Sequence, residues 1–163
     1  DLNCSNSDMS GAEIGSDENN NIYIVSIRKT GSIYLFKLDQ SGRIINSSVP
    51  DFGSSSYGFL HGITVTKNEE LYVFGGSRGD GYIMKFNDSL SIDNSFYDGR
   101  FDYGDFPKDV TYSKFTSVLE KDGNILSAGK KSFYNRYYKR NDQYFSLLEF
   151  SMKETLYLNL KFN

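Results

Sequence analysis

The chain has 163 residues, enough for one domain with a core of its own, and its formal charge of -3 and pI near 5.2 leave no basic footprint to draw nucleic acid to the chain as a whole. No apolar run approaches the roughly 18 residues a membrane-spanning helix needs, and a single cysteine excludes an internal disulfide and a cysteine-based zinc site. Tyrosine and phenylalanine, 13 of each beside no tryptophan and only two prolines, favour pleated, half-buried strands over helices.

Residues 1–10, "DLNCSNSDMS", read as an irregular polar tail without the basic and apolar regions of a signal peptide. Cys4 is either an inert thiol or, if the chain is a lipoprotein accessory subunit of the cell envelope, a lipidation site; Asn3 and Asp1 do not suit the second reading. From Gly11 onward one unit recurs, and residues 11–163 are expected to form a single repeat domain. Ile22 opens the run "IYIV", Leu71 the run "LYVFG" and Ile125 the run "ILSAG"; Ile22 to Leu71 is 49 residues and Leu71 to Ile125 is 54. A period of about fifty residues marks a repeat architecture.

Each copy continues alike. A second run follows, "YLFKL" at 34–38, "YIMKF" at 82–86 and "FSLLEF" at 145–150, with Lys37 and Lys85 in register. Polar turns, "DQSG" at 39–42 and "NDSL" at 87–90, lead to a third run at 43–46 and 91–95, with "TLYLNLKF" at 155–162 as its counterpart. Ahead of each copy's first run stands another short strand, "GAEIG" at 11–15, "GITVT" at 62–66 and "FTSVLE" at 115–120, joined to it by "DENN", "KNEE" or Asp122-Gly123. Such turns make the flanking strands antiparallel neighbours. Four antiparallel strands per unit predict an all-β, propeller-like fold of about three four-stranded blades, at 11–58, 59–111 and 112–163. An ordinary β-sandwich is the alternative.

The stretches "DGNILSAG", "GYIMKFNDSLSIDNSF" and "GSIYLFKLDQSGRII" resemble the delta-60 and related seven-bladed-propeller repeats of bacterial secreted and surface proteins. "SLSIDNSF" at 89–96 matches the closing element of that repeat, whereas "RIINSS" in copy one departs from it. The resemblance implies an extracellular or cell-surface blade and no particular chemistry. Three blades alone make an open arc, so the outer faces, with Ile24, Leu35 and Leu158, are expected to meet water unless further blades or a second copy complete the ring.

Several stretches carry candidate chemistry. "GGSRGDG" at 75–81 is read as a hairpin bend, because a phosphate cradle would need a following helix and here a strand follows. The tripeptide Arg78-Gly79-Asp80 is too short to assign adhesion. His61, the sole histidine, cannot build a histidine-rich metal site, and no G-x-S-x-G elbow accompanies it. Asp98, Asp102, Asp105 and Asp109 lie in an interblade stretch as weak calcium candidates or carboxylates for glycoside chemistry, although the D-x-[DN]-x-[DN]-G order is missing.

The most individual feature is "KKSFYNRYYKRNDQY" at 130–144, which lengthens the second-to-third strand connection of copy three by about fifteen residues. Tyr134, Tyr137, Tyr138 and Tyr144 offer amphipathic faces, and Lys130, Lys131, Arg136, Lys139 and Arg140 a positive field. That mixture suits a protein, an anionic polysaccharide or a single-stranded nucleic acid, and equally an extended solvated hairpin arm. The leading expectation is a non-enzymatic interaction module without a cofactor, binding a protein or glycan through Tyr134, Arg136, Tyr137, Tyr138, Lys139 and Arg140. Part of a carbohydrate-active enzyme is the alternative.

Overall fold

A computed structural model describes residues 9–28, 32–50, 59–76, 81–96, 100–103, 110–121, 124–135, 140–150 and 155–161. The fold is all-β: three antiparallel sheets of four strands each, and no helix among the described residues. The first sheet contains β1 (Met9–Ser16), β2 (Ile22–Arg28), β3 (Ile33–Leu38) and β4 (Ile44–Ser48). The second holds β5 (Phe59–Val65), β6 (Leu71–Gly76), β7 (Gly81–Phe86) and β8 (Arg100–Tyr103). The third holds β9 (Val110–Lys121), β10 (Asn124–Asn135), β11 (Arg140–Phe150) and β12 (Thr155–Lys161). In each sheet the spatial order is the chain order, a simple meander.

One turn design sets the register of the first two sheets. In residues 17–21, 39–43, 66–70 and 87–91 the first residue's N–H donates to the fifth carbonyl, and the fourth N–H donates back to the first carbonyl. A side-chain oxygen of the first residue, on Asp17, Asp39, Thr66 or Asn87, accepts backbone N–H bonds within the same turn. The fourth residue is left-handed each time: Asn20, Gly42, Glu69 and Leu90 have φ of 62°, 83°, 60° and 58°. Short polar heads favour this geometry because they replace a backbone partner locally. The run of five therefore fixes which side chains share a face.

The core lies between sheets. Tyr23, Val25, Ile27, Ile33 and Leu35 of the first sheet bury against Leu71, Val73, Tyr82, Met84 and Phe86 of the second. Tyr72, Phe74 and Ile83 face the other way and pack with Val118 and Ile125 of the third. Every residue of β6 is therefore buried, as a strand covered on both faces requires. The sheets approach through their first strands: β1 lies against β5, and β5 and β6 against β9. A Cβ on Gly15 would come within 3.2 Å of Ile63, and Thr64 donates its hydroxyl to the Val118 carbonyl.

Two expectations need correction. Leu35 is fully buried, because its partner Val25 places it on the face that meets the second sheet; Ile24, paired with Phe36, lies on the opposite face. The last strand of copy two is β8 rather than 91–95. There the chain makes one bridge, between Phe86 and Ile92, and then Asp93 heads a turn by accepting the N–H and hydroxyl of Ser95. Pairing with β7 resumes at Arg100, opposite Met84.

Candidate functional site

Two places in the fold gather polar chemistry: the long hairpin of the third sheet, and a tyrosine–lysine–carboxylate group that recurs in the first two sheets and in the first reaches across to the second. In the hairpin, β10 and β11 stay paired from Ile125 with Phe150 to Asn135 with Arg140. β9 runs beside β10 as far as the Val110–Phe133 pair, so the extension is three strands wide over much of its length. β10 has 12 residues where β6 has 6. At roughly 3.3 Å per residue the arm therefore reaches about 20 Å beyond the length of the neighbouring strands.

The residues expected to carry binding divide unevenly over this arm. Tyr134 pairs with Asn141 and Arg140 with Asn135 near its end, while Lys131 pairs with Tyr144 farther back. Arg136, Tyr137, Tyr138 and Lys139 lie outside the described residues. Tyr134 and Arg140 are thus the two members brought to the end of one ladder. Residues 130–135 and 140–144 are strand, paired as the two arms of an antiparallel ladder, because alternating aromatic, polar and basic residues suit a pleated ribbon.

The acidic stretch is also divided. Asp102 stands in β8 opposite Tyr82, on a strand rather than in an interblade loop. Asp98, Asp105 and Asp109 lie outside the described residues, as do Cys4 and residues 77–80. Around those last four, Gly76 pairs with Gly81 across antiparallel β6 and β7, so a strand does follow the glycine-rich stretch. His61 is the extra residue of a bulge, where Leu60 pairs with Gly75 and Gly62 with Phe74. Bulges re-aim side chains and tighten the local twist. Among the described residues no group of three histidine, cysteine or acidic side chains is placed to hold a metal ion.

The second place went unread in the sequence apart from the matching lysines. In the first sheet Lys37 pairs with Tyr23 and holds its ammonium 5.1 Å from that ring's centre. It also meets Glu69, from the β5–β6 turn of the next sheet, at 3.3 Å, and Glu69 takes a further bond from Asn19 at 2.5 Å. In the second sheet Lys85 pairs with Tyr72, 5.9 Å from the ring centre, and meets Glu70 at 2.6 Å and Asp93 at 3.1 Å. Phe96 stands edge-on to Tyr72, with centroids 5.5 Å apart.

The electrostatics of both groups favour permanent charge. Burial by itself would lower the Lys85 ammonium, but bonds to Glu70 and Asp93 outweigh it and raise its pKa. Lys37 is raised likewise, the Tyr23 hydroxyl and Glu69 outweighing desolvation. Desolvation, followed by the Glu70 charge, pushes the Tyr72 phenol up, and burial first of all does the same to Tyr23. Asp17 would rise by burial but is held below its ordinary value by bonds from Asn21, Tyr23 and Asn19. The raised ammonium and phenol groups stay protonated near neutrality, which suits structural pairing, within the second sheet at Lys85 and between sheets at Lys37, better than proton transfer.

No protein-family model matches the chain, and no curated protein is significantly similar to it.

Proposed function

We propose that the chain is a non-enzymatic β-propeller-type interaction module of the delta-60 kind, from a bacterial secreted or cell-surface protein, and that its long hairpin arm takes a protein or anionic glycan. The observation that carries the propeller reading is the repeated four-stranded meander whose tyrosine–lysine pair recurs at the same register, Tyr23 with Lys37 and Tyr72 with Lys85. Sheets stacked through their first strands are what blades around an axis would present. The arm supports the binding reading, because it places Tyr134 and Arg140 at the end of a ribbon with no counterpart in the other two sheets. Aromatic faces beside fixed cations recognise sugars, carboxylates and peptide surfaces alike.

Binding of the 163-residue chain to immobilised anionic and neutral polysaccharides, and to surface proteins, tests this. The expected result is a salt-sensitive interaction lost in a variant with Tyr134→Ala, Arg136→Ala, Tyr137→Ala, Tyr138→Ala, Lys139→Ala and Arg140→Ala. Turnover of chromogenic glycosides that disappears in Asp102→Asn would replace the binding module with a carbohydrate-active enzyme.

A further inference from the structure

The two sheet-to-sheet contacts follow one positional rule. Gly15 and Tyr23 are paired on the inward face of the first sheet, and Gly15 receives Ile63 of the second. Thr64 and Tyr72 are the corresponding pair one sheet later, and Thr64 receives Val118 of the third. Leu119 and Leu126 are the next such pair, on the face of the third sheet that turns away from the second. The residue that should be received there is the counterpart of Ile63 and Val118. On the first sheet that counterpart is Ile14, paired with Ile24 as Ile63 is with Val73 and Val118 with Ser127.

Leu119 is 48% exposed and Ile14 69%, whereas Val118 is 7% exposed and Ile63 packs against the core. Ile14 continues into an apolar row, Ile14–Ile24–Phe36, across three strands of the free face of the first sheet. The polar positions differ in a matched way. Glu69, which meets Lys37, has Asn20 as its left-handed counterpart in the first sheet. Where Lys37 and Lys85 stand opposite Tyr23 and Tyr72, the third sheet has Glu149 opposite Leu126. The positions that hold the lysine–glutamate pair between the first and second sheets are thus glutamate and asparagine at the two free faces, a pair in which an amide can donate to a carboxylate.

We infer that these two free faces are made for each other, and that two copies of the chain associate with Leu119 of each against Ile14 of the other. Twofold closure satisfies both contacts at once, with each copy's third sheet seated on its partner's first. The inference rests on the repeated-sheet reading above, and it is independent of what the arm binds.

Sedimentation velocity across the micromolar range, on the full 163-residue chain, is the test. A dimer is expected in the native protein. Ile14→Asp and Leu119→Lys should each weaken it by more than about tenfold, a loss of about 1.4 kcal/mol, while leaving β-sheet circular dichroism intact because both positions are exposed. Mixing the two variants should restore a heterodimer, which carries one native contact and one aspartate–lysine contact. In a Cys4→Ser background, Ile14→Cys should cross-link to Leu119→Cys and not to itself. A native protein that stays monomeric, or one that forms an open series of larger species, would overturn the pairing, as would a dimer indifferent to both variants. A monomer that still binds a glycan through the arm would overturn this inference and leave the proposed function standing.

Discussion

Lys37 in β3 and Glu69 in the turn before β6 form an ion pair at 3.3 Å that ties the first sheet to the second. The ammonium is mostly covered and lies against the Tyr23 ring, so the pair is less screened than a surface bridge. Glu69 also stands at φ of 60°, where a side chain with a Cβ is strained. Glu69→Asn introduces a residue that tolerates this conformation and removes the charge; it should cost about 1 kcal/mol by urea unfolding. Glu69→Ala should cost more, from the same lost pair with an unrelieved left-handed backbone. Equal losses for both would show that the backbone conformation contributes nothing.

The carboxylates that head turns make the fold acid-sensitive. Asp17 is buried and accepts bonds from the backbone of Asn19 and Asn21 and from the side chains of Asn21 and Tyr23. Asp93 is lowered first by the Ser95 hydroxyl, and Asp39 to about 2, chiefly by Ser41 and the Arg43 backbone. A depressed folded pKa contributes stability that is fully present above the unfolded value, about 3.9, and is lost as pH falls through the folded value. Stability should therefore be flat in these groups above about pH 5 and decline below about pH 4. Asp17→Asn should shallow that decline, and Asp17→Ala should cost about 2 kcal/mol at neutral pH through the lost acceptor. The raised Lys37 and Lys85 work in the opposite sense: their contribution is complete below the unfolded lysine value and is lost as pH rises through the folded one.

Gly62 is a packing requirement. A Cβ there would stand 2.4 Å from Cζ of Phe74, its cross-strand partner, whose ring is buried toward the third sheet. Gly62→Ala should cost about 2 kcal/mol, the scale of overpacking in a dense core. Combining it with Phe74→Leu should cost less than the sum of the single changes, because the shorter side chain clears the clash. Additive losses in chemical denaturation would contradict the proposed contact.

Deletion of residues 132–143 with a short glycine turn in their place should leave the β-sheet circular dichroism unchanged. The ladder from Ile125–Phe150 to Gly129–Ser146 is retained in that variant, and Val118 and Ile125, which seat the third sheet on the second, lie outside the deleted part. Global unfolding of the deletion variant would place the arm in the core.

Most of the strand pattern was legible because each polar turn has a short side chain at its head. "DENN", "DQSG" and "NDSL" begin with that head residue and "KNEE" follows its own, Thr66; all four sit where the structure turns, and Lys37 and Lys85 do hold equivalent registers. The fourth strand of the second sheet was not legible. Leu90, Ser91 and Ile92 alternate like the start of a strand, yet Asp93 turns its carboxylate to Ser95 and Lys85, and the ladder resumes only at Arg100. The buried face of β3 also needed the structure, because strand alternation separates Leu35 from Phe36 without saying which one meets the next sheet. The acidic partner of Lys37 depends on sheet stacking: Glu69 is 32 residues away, beyond any local spacing rule.

The central claim is a stack of three sheets whose middle member is covered on both faces, and amide hydrogen exchange tests it most directly. The N–H groups of β6 and β7, enclosed by Val25 and Leu35 on one side and by Val118 and Ile125 on the other, should exchange only through global unfolding and be the slowest in the chain. Those of the edge strand β4, whose Ile44 and Ile45 are exposed, should exchange orders of magnitude faster. Protection in β6 and β7 no greater than in β4 would contradict the stacked arrangement.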